Sequence, residues 1–401
     1  MNQPDTTLEP AMANNAPVLL EERACANGMR IAIATLDAPK SLHALTLDMI
    51  RALDGALKRW ALDPLIACVV LQSSTDKAFC AGGDVRSLRQ AVQHDPDTVP
   101  NPAAQTFFKE EYRLDHRIHT YAKPLLVWGG GIVMGGGVGL MAGASHRVVT
   151  ETTRIAMPEI SIGLFPDVGG SWVLPRMPAR TGLFIGLTGA PLNANDALFT
   201  GLADYFLPQQ QRAAVLDALC TLEWQGASAG TGTDRANHIV LDVALRNRSA
   251  VASTAENVLE STATNVLPAS EVRQHFDTIA TLTASRDLTE VVAAITGYDG
   301  DSAWLRRAAT TLASGSPSSA AVTWALHERA RHLSLADVFR LEMIVAIRSC
   351  AQPDFTEGVR ALLVDKDNAP RWQPATLAGA DDRYVEKYFQ APWSQHPLAD
   401  L

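Results

Sequence analysis

Two carboxylates eight residues apart, Glu159 and Asp167, stand in a stretch unusually rich in bare backbone. Glu159 closes the triplet Met157-Pro158-Glu159, and Asp167 lies within Phe165-Pro166-Asp167-Val168-Gly169-Gly170; a glycine-dense turn, residues 129–139, precedes both. Acids that share a partly dry pocket push their pKa values apart, so one serves as base while the other holds or accepts a hydrogen. Glycine lets the main chain come close to a ligand, and converging N–H groups at a helix start stabilise developing negative charge. Two turns have this form, Gly82-Gly83-Asp84 and Gly135-Gly136-Gly137, each after an apolar run and before a helical one. Side by side they would offer two N–H groups to one oxygen, which suits enolate or tetrahedral acyl chemistry; one such donor is worth about 2.7–4 kcal/mol in the transition state. The residues alone leave other readings open. Glycines also serve close helix packing, and either acid could cap a helix or form a turn.

Around these residues the chain alternates strands and helices. Residues 30–36 pattern as a strand, with turn chemistry in Asp37-Ala38-Pro39-Lys40. Leu45, Met49, Leu53, Ala56 and Trp60 recur at helical spacing, and residues 65–71 form an apolar run suited to a buried strand. A loop then reaches Phe79-Cys80-Ala81-Gly82-Gly83-Asp84 and a second helix. A Pro-rich, disordered-looking insert at 95–102 precedes a helix over 103–121, whose stripe Phe107, Leu114, Ile118 and Tyr121 also carries Glu111. A carboxylate on an inward face is costly unless it has a partner or lines a cavity; a stripe-edge glutamate reaching water is the plainer alternative. Strands follow at 124–128, 147–150, 154–157 and 203–207, with helices at 136–143, 179–187, 195–199 and 211–222. The small residues of 225–233 break the pattern. The expected organisation is therefore a flexible segment 1–27, an α/β core 28–224, a linker 225–236 and a helical region 237–401 lying on that core or on a neighbouring subunit.

The 401 residues can bury a large core. A formal charge of -9 makes nucleic acid a poor partner. No apolar run is long enough to span a membrane, and the polar, acidic N-terminus lacks the basic start of a secretory signal, with no arginine before Arg23. Five scattered cysteines suggest reduced thiols and a cytoplasmic location. The histidines form no metal-ligand spacing, so neither metal nor cofactor is expected. Two motifs look like decoys. Gly226-Ala227-Ser228-Ala229-Gly230 fits a nucleophile-elbow pattern but follows no strand. Gly137-Val138-Gly139-Leu140-Met141-Ala142 fits a loose dinucleotide pattern, yet Gly143 cuts its helix short.

Taken together, Ala38-Pro39-Lys40-Ser41-Leu42-His43-Ala44-Leu45, Lys77-Ala78-Phe79-Cys80-Ala81-Gly82-Gly83-Asp84, the Gly135 turn, Met157-Pro158-Glu159 and Gly189-Ala190 occur in an order that resembles the crotonase (enoyl-CoA hydratase/isomerase) superfamily. Phe107-Phe108-Lys109-Glu110-Glu111-Tyr112, Met134-Gly135-Gly136-Gly137-Val138-Gly139, the Phe165–Gly170 motif and Glu357-Gly358-Val359-Arg360-Ala361 to Asp365-Lys366-Asp367 look like its 3-hydroxyisobutyryl-CoA hydrolase branch. The resemblance implies an α/β spiral of ββα units with an all-helical, self-associating C-terminal region, acting on an acyl-CoA thioester. It assigns the oxyanion donors to the amides of Gly83 and Gly136, and substrate binding to Glu111 together with Gly136, Glu159 and Asp167. Hydratases that resemble this chain carry a second catalytic glutamate where Gly139 stands, and usually a glycine where Asp167 stands. That exchange favours hydrolysis: Glu159 attacks the thioester or activates water, and Asp167 orients water or a substrate hydroxyl. His43 replaces the family's usual asparagine. Lys40 and Lys77 are candidates for the CoA phosphates, or simply exposed lysines. The resemblance thus leads to hydrolysis of a short 3-hydroxyacyl-CoA, with hydration or isomerisation by the same fold, or acyl-CoA binding without turnover, as alternatives.

Overall fold

The computed structural model describes residues 16–226, 233–253 and 267–401. Among the described residues, nine strands form two sheets. The larger runs in the order β1-β2-β3-β5-β7-β9: β1 (Val18–Ala24), β2 (Arg30–Leu36), β3 (Ile66–Ser73), β5 (Leu125–Gly129), β7 (His146–Val149) and β9 (Tyr205–Phe206). The smaller contains β4 (Ala78–Cys80), β6 (Ile132–Met134) and β8 (Arg154–Ala156) in that order. Only β1 and β2 pair antiparallel; every other neighbour is parallel. From β3 to β8 each turn of chain lays one strand in the large sheet, one in the small sheet, and then a helical segment. This is the expected spiral of ββα units.

Strand sequence explains the layering. β3 and β5 are apolar along nearly their whole length and buried on both faces, as parallel strands between covered layers must be. On one face, Ala32, Leu36, Val69, Leu71 and Val127 meet α1 (Leu47–Leu62), whose Met49, Leu53 and Trp60 point inward. On the other, Ile31, Ile33, Val70, Leu126 and Trp128 are covered by the helices Arg212–Leu219 and Thr233–Ser253.

Three expectations need correction. The segment 1–27 is not flexible throughout, because β1 pairs with β2 over seven residues. Most of its residues are exposed and only Val18 is buried, as on an edge strand. The linker at 225–236 is too long: helix Thr233–Ser253 begins inside it, and the Asn237 side chain both accepts from Gln225 N and donates to Gln225 O. Residues 95–102 form a defined turn. Thr98 bonds Asp95, and Asn101 caps α3 (Pro102–His119) by accepting from Ala103 N and Ala104 N. The helical C-terminal part lies directly on the core. Its helix Leu335–Cys350 packs along α3, and Phe339, Met343, Phe355 and Val359 belong to the same core as α1.

The two small strands β4 and β6 lead into α2 (Val85–His94) and α4 (Gly136–Ala142). α4 lies so close to β4 that a Cβ on Gly137 would stand 2.3 Å from the Cys80 carbonyl oxygen. That atom is backbone and cannot swing aside. Gly137→Ala is therefore expected to lower stability by roughly 1–3 kcal/mol, read as a shifted urea midpoint at unchanged slope.

Candidate active site

β4, β6 and β8 are parallel neighbours, so their C-terminal ends lie side by side, and each end supplies part of one site. β4 runs into Gly82 (φ +106°) and Gly83, after which Asp84 caps α2 by accepting from Ser87 N. β6 runs into Gly135 (φ +46°) and Gly136, the first residue of α4. These left-handed angles suit glycine and turn the main chain so that the following amide faces outward. Gly83 N lies 3.3 Å from the point where a Cβ on Gly136 would stand. Among the described residues, neither the Gly83 nor the Gly136 N–H is engaged in a hydrogen bond. The two bare turns are adjacent, with both amides unspent.

β8 leads through Met157 and Pro158 to Glu159, which opens a 3-10 turn, Glu159–Ile162. Its side chain is 4% exposed, its Oε2 has no partner, and its Oε1 lies 3.0 Å from the Cβ position of Gly135. Burial first, and the nearby Asp167 second, push the Glu159 carboxyl well above the usual carboxylate range. Asp167 is held differently. Tyr112 donates to its Oδ2 at 2.7 Å, pulling back a pKa that burial raises to about 6.

The loop carrying Asp167 is strained, since Val168 (φ +53°) and Gly169 (φ +85°) are both left-handed and valine is β-branched. Glu342 fixes it from the far side of the core. Its two carboxylate oxygens accept from Gly169 N and Ser171 N, each at 2.8 Å. Burial and Asp167 push Glu342 up to about 8, against the pull of those amides.

Glu111 confirms the inward face expected of it. It is 2% exposed, and its Oε1 lies 2.7 Å from the Cβ position of Gly136 and 3.8 Å from that of Gly83. Burial, then Asp167, raise its pKa far above normal. Glu111, Glu159, Asp167, Gly83 and Gly136 all border one cavity of about 230 Å³, walled by Phe107, Phe108 and Met134 and by Leu362 and Leu363 from the C-terminal region of the same chain.

Lys40 and Lys77 do not border it. Both are exposed, Lys40 on the turn Pro39–Ser41 and Lys77 just before β4. His43 is buried and left-handed (φ +58°). Its Nδ1 accepts from Ala38 N, which leaves Nε2 to donate to Thr75 Oγ1 at 2.8 Å. Here a histidine pins the loop that runs beside Gly82, where Leu45 N donates to Gly82 O and Ala81 N to Leu42 O. The Gly137–Ala142 motif is a packing device: Gly137 meets Cys80 and Gly139 meets Asp115, leaving no space for a pyrophosphate. Ser228 and Gly230 lie outside the described residues.

Three residues here escape the sequence reading: Tyr112, Asp115 and Glu342, all fully buried. The signal was present. Glu342 falls on the apolar stripe Val338, Phe339, Met343, Ala346 just as Glu111 falls on that of α3, and the same question about an inward acid would have found it.

The chain is similar to known proteins over most of its length. The profile of the Enoyl-CoA hydratase/isomerase family matches residues 31–389. The chain is 36% identical over 359 residues to a protein of Danio rerio named 3-hydroxyisobutyryl-CoA hydrolase, mitochondrial, covering 90% of this chain and 87% of that one. To the Homo sapiens protein of the same name it is 32% identical over 374 residues, covering 93% and 88%. Among solved structures, a carnitinyl-CoA dehydratase from Mycobacterium thermoresistibile superposes with TM-score 0.78 at 32% identity, over 96% of this chain and 98% of that one. An enoyl-CoA hydratase from Rhodobacter sphaeroides 2.4.1 gives 0.75 at 31% identity, over 94% and 98%. With its spiral of ββα units, its paired glycine turns and matches spanning nearly its whole length, the chain belongs to the enoyl-CoA hydratase/isomerase family, the crotonase superfamily.

Proposed function

We propose that this protein hydrolyses a short 3-hydroxyacyl-CoA, 3-hydroxyisobutyryl-CoA above all, to the free hydroxy acid and CoA, a step of valine breakdown. The observation that carries this reading is the pairing of two unspent amides, Gly83 and Gly136, with unpaired Glu159 in one small, largely apolar cavity. The relatives named as hydrolases of that thioester support it. The thioester oxygen rests between the two amides, which strengthen their hold as charge develops on it. Glu159, within the same cavity, either attacks the carbonyl carbon or takes a proton from the attacking water. Asp167, kept ionised by the Tyr112 hydroxyl, orients the water or the substrate hydroxyl. Glu111, pressed against Gly136 and with its pKa raised, is placed to donate a hydrogen bond to that hydroxyl. Lys40 and Lys77 hold the CoA phosphates outside the cavity, where a net-acidic protein needs local cations. No resident cofactor enters this scheme, since CoA arrives with the substrate. All five cysteines are free thiols, which fits the cytosolic location we propose, and self-association through the helical region accompanies it.

Hydration of an enoyl-CoA is the second reading, because the two superposing structures are named as a dehydratase and a hydratase. It needs a second acid near Glu159, and position 139 offers none. Loss of crotonyl-CoA absorbance without free thiol would favour it; thiol release from 3-hydroxyisobutyryl-CoA favours hydrolysis. Survival of neither activity in the intact protein would point to acyl-CoA binding alone.

Glu159→Gln keeps the shape of the side chain and removes its base. Thiol release is expected to fall by at least about 10²-fold, and unchanged turnover would reject the assignment. Ser228→Ala is expected to leave thiol release unaltered. Glu159 and Asp167 must both be ionised, so the acid limb of kcat/KM reports both: Glu159, pushed well above the usual carboxylate range, and Asp167, raised to about 6, with activity lost as pH falls through them. Removing the hydrogen bond that favours the charged form raises the Asp167 pKa. Tyr112→Phe should therefore move the Asp167 step of the limb to higher pH, and a limb whose steps both stay in place would separate Asp167 from the reaction.

A further inference from the structure

Two residues of α3 that lie one turn apart, Phe107 and Glu111, meet the same glycine. A Cβ on Gly83 would stand 3.2 Å from Phe107 Cζ and 3.8 Å from Glu111 Oε1. A Cβ on Gly136 would stand 2.7 Å from that same Glu111 oxygen, and its other nearest neighbours belong to Gly83 and Gly82. The carboxyl thus lies between the two turns, while the end of the ring borders the first alone.

That ring has little room to retreat. Phe107 is 9% exposed and stands edge-on to Phe108 with centroids 5.6 Å apart, and Phe108 leans on Tyr112 at the same distance. Tyr112 in turn donates to Asp167. α3 itself is tied down: Arg51 of α1 donates from Nε and Nη2 to the two carboxylate oxygens of Glu110, and Asn101 caps the first turn. Both aromatic rings line the cavity, whose open side is marked by the 37% exposed Leu362. Held by packed neighbours in this way, the ring sets a fixed clearance rather than a yielding one.

We propose that Phe107 is a specificity-determining residue: its ring packs against the carbon next to the thioester carbonyl and limits the branch on that carbon to a methyl group. This rests on the hydrolase reading. With the carbonyl oxygen between the Gly83 and Gly136 amides, the adjoining carbon comes beside Gly83, where the end of the ring stands. The hydroxyl is one carbon further on, within reach of Glu111. One turn of α3 thereby reads both marks of a 3-hydroxyisobutyryl group, the hydroxyl with a carboxyl and the methyl with a ring. A methyl branch gains apolar contact with the ring; a longer one overlaps it.

The test measures kcat/KM for thiol release by the full chain from three thioesters that differ only in that branch. They are 3-hydroxypropanoyl-CoA, with hydrogen, 3-hydroxyisobutyryl-CoA, with methyl, and 2-ethyl-3-hydroxypropanoyl-CoA, with ethyl. In the unsubstituted protein the methyl compound should exceed the ethyl one by about 10–200-fold, the range that one methylene commands in an apolar pocket. Phe107→Ala should raise the ethyl-to-methyl ratio by at least about tenfold. Phe107→Trp should act in the opposite sense, losing the methyl compound relative to 3-hydroxypropanoyl-CoA. Phe107→Leu should fall between and serves if the alanine variant does not fold. A general loss of packing, or of Glu111 placement, lowers all three substrates together. Ratios that stay at the unsubstituted values in the folded variants would therefore overturn the assignment while hydrolysis stands, as would an ethyl compound that the unsubstituted protein turns over as fast as the methyl one. No thiol from any of the three with the unsubstituted protein would overturn the hydrolase reading, and the role of Phe107 with it.

Discussion

How closely α3 can approach the backbone at the end of β6 governs this site. Glu111 reaches the oxyanion region only because Gly136 has no side chain to hold it off, and Asp115 and His119 approach α4 through Gly139 and Gly143 for the same reason. The approach is fixed from both sides: α1 packs on one flank of α3, and helix Leu335–Cys350 on the other. A methyl group at any of these glycines would meet backbone or a packed side chain. The chemistry depends on an interface with almost no slack.

That tightness has an electrostatic consequence. Glu111, Asp115, Glu159, Asp167 and Glu342 are all buried, and among the described residues no lysine or arginine is paired with any of them. Carboxyls so placed cannot all be charged, and the protein decides which are by distributing amide and hydroxyl donors. Glu342 receives two main-chain N–H groups and Asp167 the Tyr112 hydroxyl; Glu159 and Asp115 keep at least one oxygen without any donor. The groups with donors hold the loop in place.

Much of this was legible in the sequence. The strands of the large sheet from 30 onward, the principal helices and the two glycine turns follow from apolar periodicity and from where bare backbone falls. Glu159, Asp167 and Glu111 stand out as acids where acids are expensive. What stayed hidden was mostly short or distant. β4 and β6 have three residues each, too few to show a period, yet their parallel alignment with β8, which was read as a strand at 154–157, is what brings the turns together. β1 was passed over because its apolar residues precede a charged run and show neither alternation nor a buried face. Glu342 meets Gly169 from 173 residues away, a partnership no local pattern encodes. Lys40 and Lys77 were attractive by charge and family order, but their side chains lie outside the cavity, so any role they have concerns the part of the ligand that projects from it.

Leu362 and Leu363, which complete the cavity wall, come late in the chain, on the π-helical turn Arg360–Val364. Arg86 of α2 donates to the Leu363 carbonyl, so this late segment is clasped directly to the helix that follows the first glycine turn. During synthesis the spiral can wind up behind the ribosome, but its reactive pocket stays open on one side until these leucines emerge. A copy ended before these leucines would carry both amides and all the acids yet lack a closed chamber, so the wall of the pocket is complete only once residue 363 is in place.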